Sequence, residues 1–180
     1  RPHNTPKPTY ERTLKLAGLA AVVEVSYDSH GIPHIYAKSK EDAYFALGYL
    51  HAQERLFQME MIRRIATGTL AEVLGEDLVE TDKLFRTLSI AQKSEQFYEA
   101  FQNKDAEYKT AVEAYYEGIN EFVSNGPTPI EFTLIGIQKS EFTVRQAYNA
   151  AGYMSFGFAD GLKVDPLTTK IAMTLGREYL

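Results

Sequence analysis

The chain has 180 residues, of which 44% are hydrophobic and 12% are aromatic, so it can bury a substantial core. Its 19 basic and 24 acidic residues give a net charge of −5. No stripe of lysine and arginine could follow a phosphate backbone, which argues against nucleic acid as a partner. No apolar run reaches the roughly 18 to 20 residues of a membrane-spanning helix. The absence of cysteine excludes disulfides, thiolate metal sites and a cysteine nucleophile.

The first forty residues are predicted to form an extended arm and then a β-hairpin. Three prolines within the first eight residues fix the backbone and remove hydrogen-bond donors, so residues 1–20 are expected to be an extended arm. Residues 21–38 alternate apolar and polar side chains on either side of the turn-forming sequence Asp28-Ser29-His30-Gly31. This pattern is typical of a β-hairpin.

Three helical stretches follow the hairpin. Ser39 with Asp42 resembles a capping box, and the apolar residues behind it recur at helical spacing, which predicts a helix over 41–66. A second helix is predicted over 82–102. A third runs over 103–125 and ends at a Gly-Pro pair.

The last third of the chain contains weaker signals. Residues 130–137 are compatible with a short strand or an extended packing segment. Thr143 begins a second capping-box pattern and predicts a helix through about Phe158. A final helix is predicted to start at Pro166, with Asp165 as its N-cap.

The residues contain no self-contained catalytic constellation. No two histidines lie four residues apart within a predicted helix, which is the arrangement of a helical metal site. A nucleophile elbow, a phosphate-binding glycine loop and a dinucleotide fingerprint are all missing from the sequence. The acidic residues between Glu72 and Asp82 are interpreted as solvated surface charge. Taken alone, the residues indicate only a mostly helical subunit.

An ordered series of short motifs between Asp28 and Gly75 is more specific. The series is Asp28, Gly31-Ile32-Pro33-His34-Ile35, Asp42-Ala43, Leu47-Gly48-Tyr49, the run from His51 to Glu60, Arg63-Arg64, Gly68-Thr69-Leu70-Ala71-Glu72 and Gly75. This series resembles the N-terminal region of the penicillin acylase family. The resemblance runs in register from about Val22 to Arg86 and more loosely to the end. Glu54 departs from it, because many relatives have Asp there.

The resemblance implies the smaller, α-type subunit of an N-terminal-nucleophile hydrolase, made as a precursor that cuts itself into two chains. The implied fold class is α+β. A single piece spanning 1–180, mainly helical over 41–180, would complete a four-layer αββα sandwich with a larger β chain. The resemblance also implies no catalytic residue in this chain, no organic cofactor, and a periplasmic or secreted location after removal of a signal peptide.

The implied activity is hydrolysis of an amide between a hydrophobic acyl group and a polar amine, as in penicillins or acyl-homoserine lactones. The nucleophile would be a serine at the N-terminus of the larger chain. Its own α-amino group would act as base, because such an amine titrates near about 7.7 to 8. An oxyanion hole on the larger chain would stabilise the tetrahedral intermediate. The alternative is a non-catalytic helical binding or interaction module that has kept the acylase scaffold.

Within this chain, the resemblance assigns part of the acyl pocket to Met154 and Phe158, with Tyr153 and Phe156 as secondary candidates. In the family a Met and a Phe four residues apart line the pocket, and residues at this spacing share one face of a helix. The competing interpretation is an ordinary hydrophobic core, where such pairs are usual. Gly157 replaces an arginine that is common in the family.

A structural calcium ion is the one cofactor that the resemblance suggests, because some relatives take one acidic ligand from the small chain. Spacing places Val164 at the ligand position, and one insertion would bring in Asp165, whose carboxylate suits calcium. Asp160 is a weaker candidate.

The residues of the motif series between Asp28 and Gly75 are expected to have structural roles. In particular, Arg55, Arg63 and Arg64 of the long helix are expected to reach acidic partners.

Overall fold

A computed structural model of the chain describes residues 13–104 and 107–179. Residues 1–12 of the predicted arm lie outside the described residues. The described part of the arm has no regular helix or strand before Glu24. None of the helices in the described ranges combines the length and apolar character that a membrane crossing requires.

The hairpin consists of β1 (Glu24–Tyr27) and β2 (Pro33–Tyr36), which are antiparallel, with Val25 paired to Ile35. Asp28 shapes the turn: its Oδ1 accepts hydrogen bonds from the backbone N–H groups of His30 at 2.8 Å and Ile32 at 2.9 Å. These bonds, first of all the one from Ile32, hold the pKa of the Asp28 carboxyl below its usual value.

Helix α1 (Lys40–Thr67) begins one residue before and ends one residue after the predicted range 41–66. Ser39 Oγ accepts the N–H of Asp42 at 3.0 Å, as an N-cap does. The other half of the predicted capping box is absent. The buried Asp42 carboxylate instead accepts the N–H groups of Ala20 at 2.8 Å and Ala21 at 3.2 Å, so it ties the segment before the hairpin to α1.

Helix α1 crosses α5 (Tyr108–Asn125) at two glycines that face each other. A Cβ atom on Gly48 would overlap the carbonyl oxygen of Tyr115, and one on Gly118 would overlap that of Phe45. The largest core cluster includes residues of both helices. Its buried members are Tyr49, Ala52, Leu56, Ile119, Phe122, Val123, Phe132 and Phe142.

The predicted helix over 82–102 is wrong in one respect, because it is two helices. A short α2 (Ala71–Leu74) and a 3₁₀ turn (Glu76–Leu78) lead into α3 (Val79–Thr87), and α4 (Ile90–Gln102) follows.

The break between α3 and α4 lies at Ser89, which has a left-handed φ of 59°. Phe85 and Ile90 are five residues apart and would point to different sides of one straight helix. The break allows both to pack in the same cluster with Ala66.

The stretch 130–137 is neither a strand nor extended, because residues Ile130–Ile135 form helix α6. The alternation of Ile130, Phe132 and Leu134 suggested a strand, yet only Phe132 is buried and Leu134 is 76% exposed. No other strand of the described residues pairs with this segment. A single helical turn places the one inward side chain in the core without leaving strand edges unpaired.

Helix α7 (Arg145–Leu175) is continuous, so the predicted end near Phe158 and the predicted new start at Pro166 are both wrong. Asp165 is therefore an interior helical residue and not an N-cap. A proline removes one helical hydrogen bond but need not end the helix. Thr168 Oγ1 donates to the carbonyl oxygens of Val164 at 3.2 Å and Asp165 at 3.0 Å, within the turn that contains the proline.

We predict that Gly118→Ala destabilises the protein by about 2 kcal/mol or more, because the added methyl must push α1 and α5 apart. The control is Ser124→Ala at an exposed position of α5, which should change stability by less than about 0.5 kcal/mol. Chemical denaturation of the protein made from its complete coding sequence measures both. Equal stability of Gly118→Ala and the parent would contradict the close crossing.

Candidate substrate-binding site

The four predicted pocket residues lie on the first half of α7 and divide into two groups. Met154 is 55% exposed and Phe158 is 76% exposed, and their spacing puts them one turn apart on one face. Exposure on this scale is unusual for a neighbouring Met and Phe in a core helix. The ordinary-core interpretation therefore does not describe these two side chains within this chain.

The secondary candidates face the opposite way. Tyr153 and Phe156 are half-buried, with ring centroids 5.7 Å and 5.3 Å from that of Phe85. Both pack against the cluster of Ala66, Phe85 and Ile90. Within this chain they fasten α7 to the helices beneath it, and the outward pair is left free for contacts with another molecule.

Two glycines of α7 have different surroundings. A Cβ atom on Gly152 would lie 2.6 Å from Ile90 Cγ2, so the glycine permits close packing of α7 on α4. Nothing lies within 4 Å of a Cβ atom on Gly157, which is exposed beside Phe158. The position where the family commonly has an arginine is thus open space in this chain.

The metal candidate Asp165 lies two turns beyond Phe158 on α7 and is exposed. Within residues 13–104 and 107–179, no group of three or more His, Cys, Asp or Glu residues could hold a metal ion. Asp165 could therefore supply one carboxylate, and main-chain carbonyls, water or another molecule would supply the remaining oxygen ligands. Val164 offers no side-chain ligand, and the side chain of Asp160 lies outside the description.

Two of the described histidine rings contact polar side chains. His51 Nδ1 lies 2.9 Å from the Tyr115 hydroxyl, and His34 Nε2 lies 3.5 Å from Asp28 Oδ2. Although the His51 residue is partly open to solvent, desolvation of its ring lowers its pKa. Desolvation likewise raises the pKa of Tyr115. At neutral pH this pair is an uncharged hydrogen bond between α1 and α5.

One buried carboxylate escaped the sequence analysis. Glu60 is 1% exposed and is held by two arginines: Arg64 Nε donates to Oε1 at 2.6 Å, and Arg63 donates to Oε2. The expectation of acidic partners is thus confirmed for Arg63 and Arg64. For Arg55 it stays a prediction, because this exposed side chain at a kink in α1 forms no ion pair with a carboxylate of the described ranges.

Asp82 corrects the interpretation of the acidic segment as solvated charge. It is only 7% exposed, and its two carboxylate oxygens accept the N–H groups of Leu70 at 2.9 Å and Ala71 at 2.8 Å. These donors belong to the first turn of α2, where a carboxylate satisfies free N–H groups. A residue twelve positions away in the chain provides this cap, so local sequence patterns do not reveal it.

Known proteins with similar sequences and structures agree with this architecture. The family model described as penicillin amidase matches residues 22–180. The penicillin acylase 2 proenzyme of a Pseudomonas strain is 45% identical over 132 residues, which is 73% of this chain and 17% of the relative. The acyl-homoserine lactone acylase QuiP of Pseudomonas aeruginosa is 29% identical over 167 residues, which is 92% of this chain and 19% of the relative.

Among solved structures, a thermostable penicillin G acylase from Alcaligenes faecalis superposes with a TM-score of 0.65 at 27% identity. The match covers 88% of this chain and 86% of that chain. The fold and the motifs around α1 define a piece of an acylase scaffold, and the chain belongs to the penicillin amidase family. It spans less than a fifth of the length of the two curated relatives.

Proposed function

We propose that this chain is the small subunit of an amide hydrolase and that it supplies part of the acyl-binding pocket. The substrate class is an amide between a hydrophobic acyl group and a polar amine, of the penicillin or acyl-homoserine lactone type. The observation that carries the proposal is the outward Met154 and Phe158 pair on a helix whose inward face is fastened to the core. Relatives named as acylases for both substrate types support the activity class.

In the proposed reaction, the attacking group belongs to the larger chain. A serine at that chain's N-terminus attacks the amide carbonyl, and its own α-amino group accepts the proton. The α-amino group passes this proton to the polar amine as the amine leaves, and water then hydrolyses the acyl-enzyme. In this division of labour His34 and His51 have no catalytic task, and they contact Asp28 and Tyr115.

The role of this chain would be to bind and orient the acyl group. Met154 offers a flexible, polarizable side chain and Phe158 a flat apolar face, a combination suited to an aromatic or aliphatic acyl group. Tyr153 and Phe156 would support the pocket indirectly, because their contacts with Phe85 hold α7 in place. The open space at Gly157 would leave room beside Phe158 for a larger acyl group.

Three observations support a larger partner chain cut from the same precursor. One relative is named a proenzyme, and this chain matches a small fraction of its length. The solved chain from Alcaligenes faecalis is, by its mutual coverage, similar in length to this one. Finally, the hairpin is a sheet of two strands within the described residues, so each strand has an outer edge open to pairing.

The surface beside the hairpin is also suited to a partner. An open cleft of about 1000 Å³ lies between residues 13–25, which approach β1, and the first half of α1. Its walls are mostly aliphatic, including Leu16, Val23 and Leu50. We propose that strands of the larger chain extend the hairpin and cover this cleft, which would complete the four-layer αββα sandwich.

The location and the metal are proposals that rest on the resemblance. We propose a periplasmic or secreted protein in which Asp165 contributes one ligand to a structural calcium ion. The exposed carboxylate of Asp165 suits this role, and its position inside α7 leaves it without an N-cap function. Bound there, calcium would join α7 to the larger chain.

Substitution of either pocket residue should alter acyl preference. We predict that Met154→Ala or Phe158→Ala in the assembled enzyme lowers kcat/KM for a phenylacetyl amide about tenfold or more relative to an acetyl amide. Initial rates with phenylacetyl, phenoxyacetyl, long-chain acyl and acetyl amides measure this selectivity. Met173→Ala is the matched control, because Met173 is an 85% exposed methionine of the same helix. Unchanged selectivity in both pocket variants would remove these residues from the site.

Metal removal tests the calcium proposal. Calcium should raise the melting temperature of the assembled protein, because a ligand that binds only the folded state stabilises it. Addition of EDTA should reverse this rise, and Asp165→Asn should abolish most of the response to calcium. Equal calcium responses in the parent and in Asp165→Asn would exclude Asp165 as a ligand.

A further inference from the structure

The short segment that leads into α7 is held by side chains from two other helices. Asn120 of α5 pairs with the main chain of Phe142 in both directions: Nδ2 donates to the carbonyl oxygen at 2.8 Å, and Oδ1 accepts the N–H at 2.8 Å. Two bonds to one residue fix its orientation as well as its distance. Asn120 thus replaces the main-chain partner that Phe142 lacks outside a helix or strand.

Arg63 of α1 also holds this segment. Its guanidinium donates to the carbonyl oxygen of Glu141 at 2.9 Å and to Ser140 Oγ at 2.7 Å. The guanidinium carbon lies 4.3 Å from the centroid of the Phe142 ring. Glu60, buried beneath, also accepts from this guanidinium and so limits its rotation.

The held residue is itself part of the core. Phe142 is 3% exposed and belongs to the cluster at the crossing of α1 and α5. Directly after it, Gln146 Oε1 accepts the N–H of Thr143 at 2.7 Å in the first turn of α7. The ring, the N–H and the carbonyl of Phe142 are therefore all fixed just before α7 begins at Arg145.

The start of α7 governs the position of the outward pair. Met154 lies about 13 Å along the helix axis from Arg145, at about 1.5 Å per residue. Tyr153 and Phe156, farther along, contact Phe85 and hold the inward face. Arg145 Nε also pairs with Glu95 Oε2 at 2.6 Å, and Tyr148 stacks on Phe97 of α4. The first half of α7 is thus held by Phe142 at its start and by α3 and α4 along its length.

From this arrangement we propose that Asn120 and Arg63 are positioning residues of the acyl pocket. Their contacts with Phe142 and the residues before it fix the position of the first turn of α7, and this determines the positions of Met154 and Phe158. The proposal rests on the proposed function for the identity of the pocket. The anchoring of α7 itself can be measured without any substrate.

The test is Asn120→Ala in the protein made from its complete coding sequence, because alanine removes both bonds to Phe142. We expect KM for a phenylacetyl amide to rise about tenfold, since a misplacement of about 1 Å can cost up to 100-fold. The kcat for an acetyl amide, which does not fill the pocket, should stay within about twofold of the parent. An unchanged KM for the phenylacetyl amide would overturn the proposal.

The matched control is Asn125→Ala. Asn125 lies on the same helix, and its Nδ2 donates at 3.0 Å to Glu121, but the bond is on the exposed side and touches no residue before α7. Its KM values should equal those of the parent. Asn120→Asp keeps the oxygen that accepts the Phe142 N–H and loses the donor, so it should show an intermediate KM. This variant also serves if Asn120→Ala fails to fold.

Hydrogen exchange separates the two proposals. Backbone amides of residues 143–150 should exchange about tenfold faster in Asn120→Ala than in the parent, and at the parent rate in Asn125→Ala. Equal exchange in all three proteins would overturn the anchoring role even in an enzyme with full activity. If the parent hydrolyses no acyl amide, the proposed function fails, while the exchange rates still support or overturn the anchoring of α7.

Discussion

The close crossing of α1 and α5 is the contact on which the rest of the chain depends. Gly48 and Gly118 let the two backbones approach until no side chain fits between them. Around this crossing pack the aromatic rings of the main core, including Tyr49 and Phe122, which meet edge to face at 5.5 Å. Arg63 of α1 and Asn120 of α5 bind the segment that leads into α7.

The described residues include buried carboxylates that fix neighbouring elements and one helix face that is exposed. Three buried carboxylates have structural roles: Asp42 ties the N-terminal segment to α1, Asp82 caps α2, and Glu60 fixes two arginines. The outward face of α7 is exposed to solvent, with Met154 55% and Phe158 76% exposed. A chain built in this way is suited to complete a site whose reactive groups lie on another polypeptide.

Sequence reasoning succeeded where the signal is local. The limits of α1 follow from Ser39 at one end and Gly68 at the other, and both act within a few residues of the helix. It failed where the local pattern fits more than one structure. Pro166 carries a strong local signal for a helix start, yet α7 continues through it. The alternation around Phe132 suggested a strand, but the segment forms helix α6 and pairs with neither strand of the described ranges.

The candidate site was likewise predictable only where its residues are close in the sequence. The spacing of Met154 and Phe158 identifies one helix face, and the structure shows that this face is open. Asn120 could not be found from the sequence, because its partner Phe142 lies 22 residues further along the chain. Glu60 left a weak signal in its spacing to Arg63 and Arg64, which is that of helical ion pairs, but spacing alone does not reveal burial.

The central claim is that this chain binds the acyl group while another chain attacks it. Covalent labelling tests this most directly: the protein made from its complete coding sequence is treated with a serine-directed sulfonyl fluoride, and each chain is weighed by mass spectrometry. The account predicts two chains, with the adduct on the N-terminal serine of the larger one and none on this chain. An adduct on a serine of this chain, with loss of activity, would contradict it.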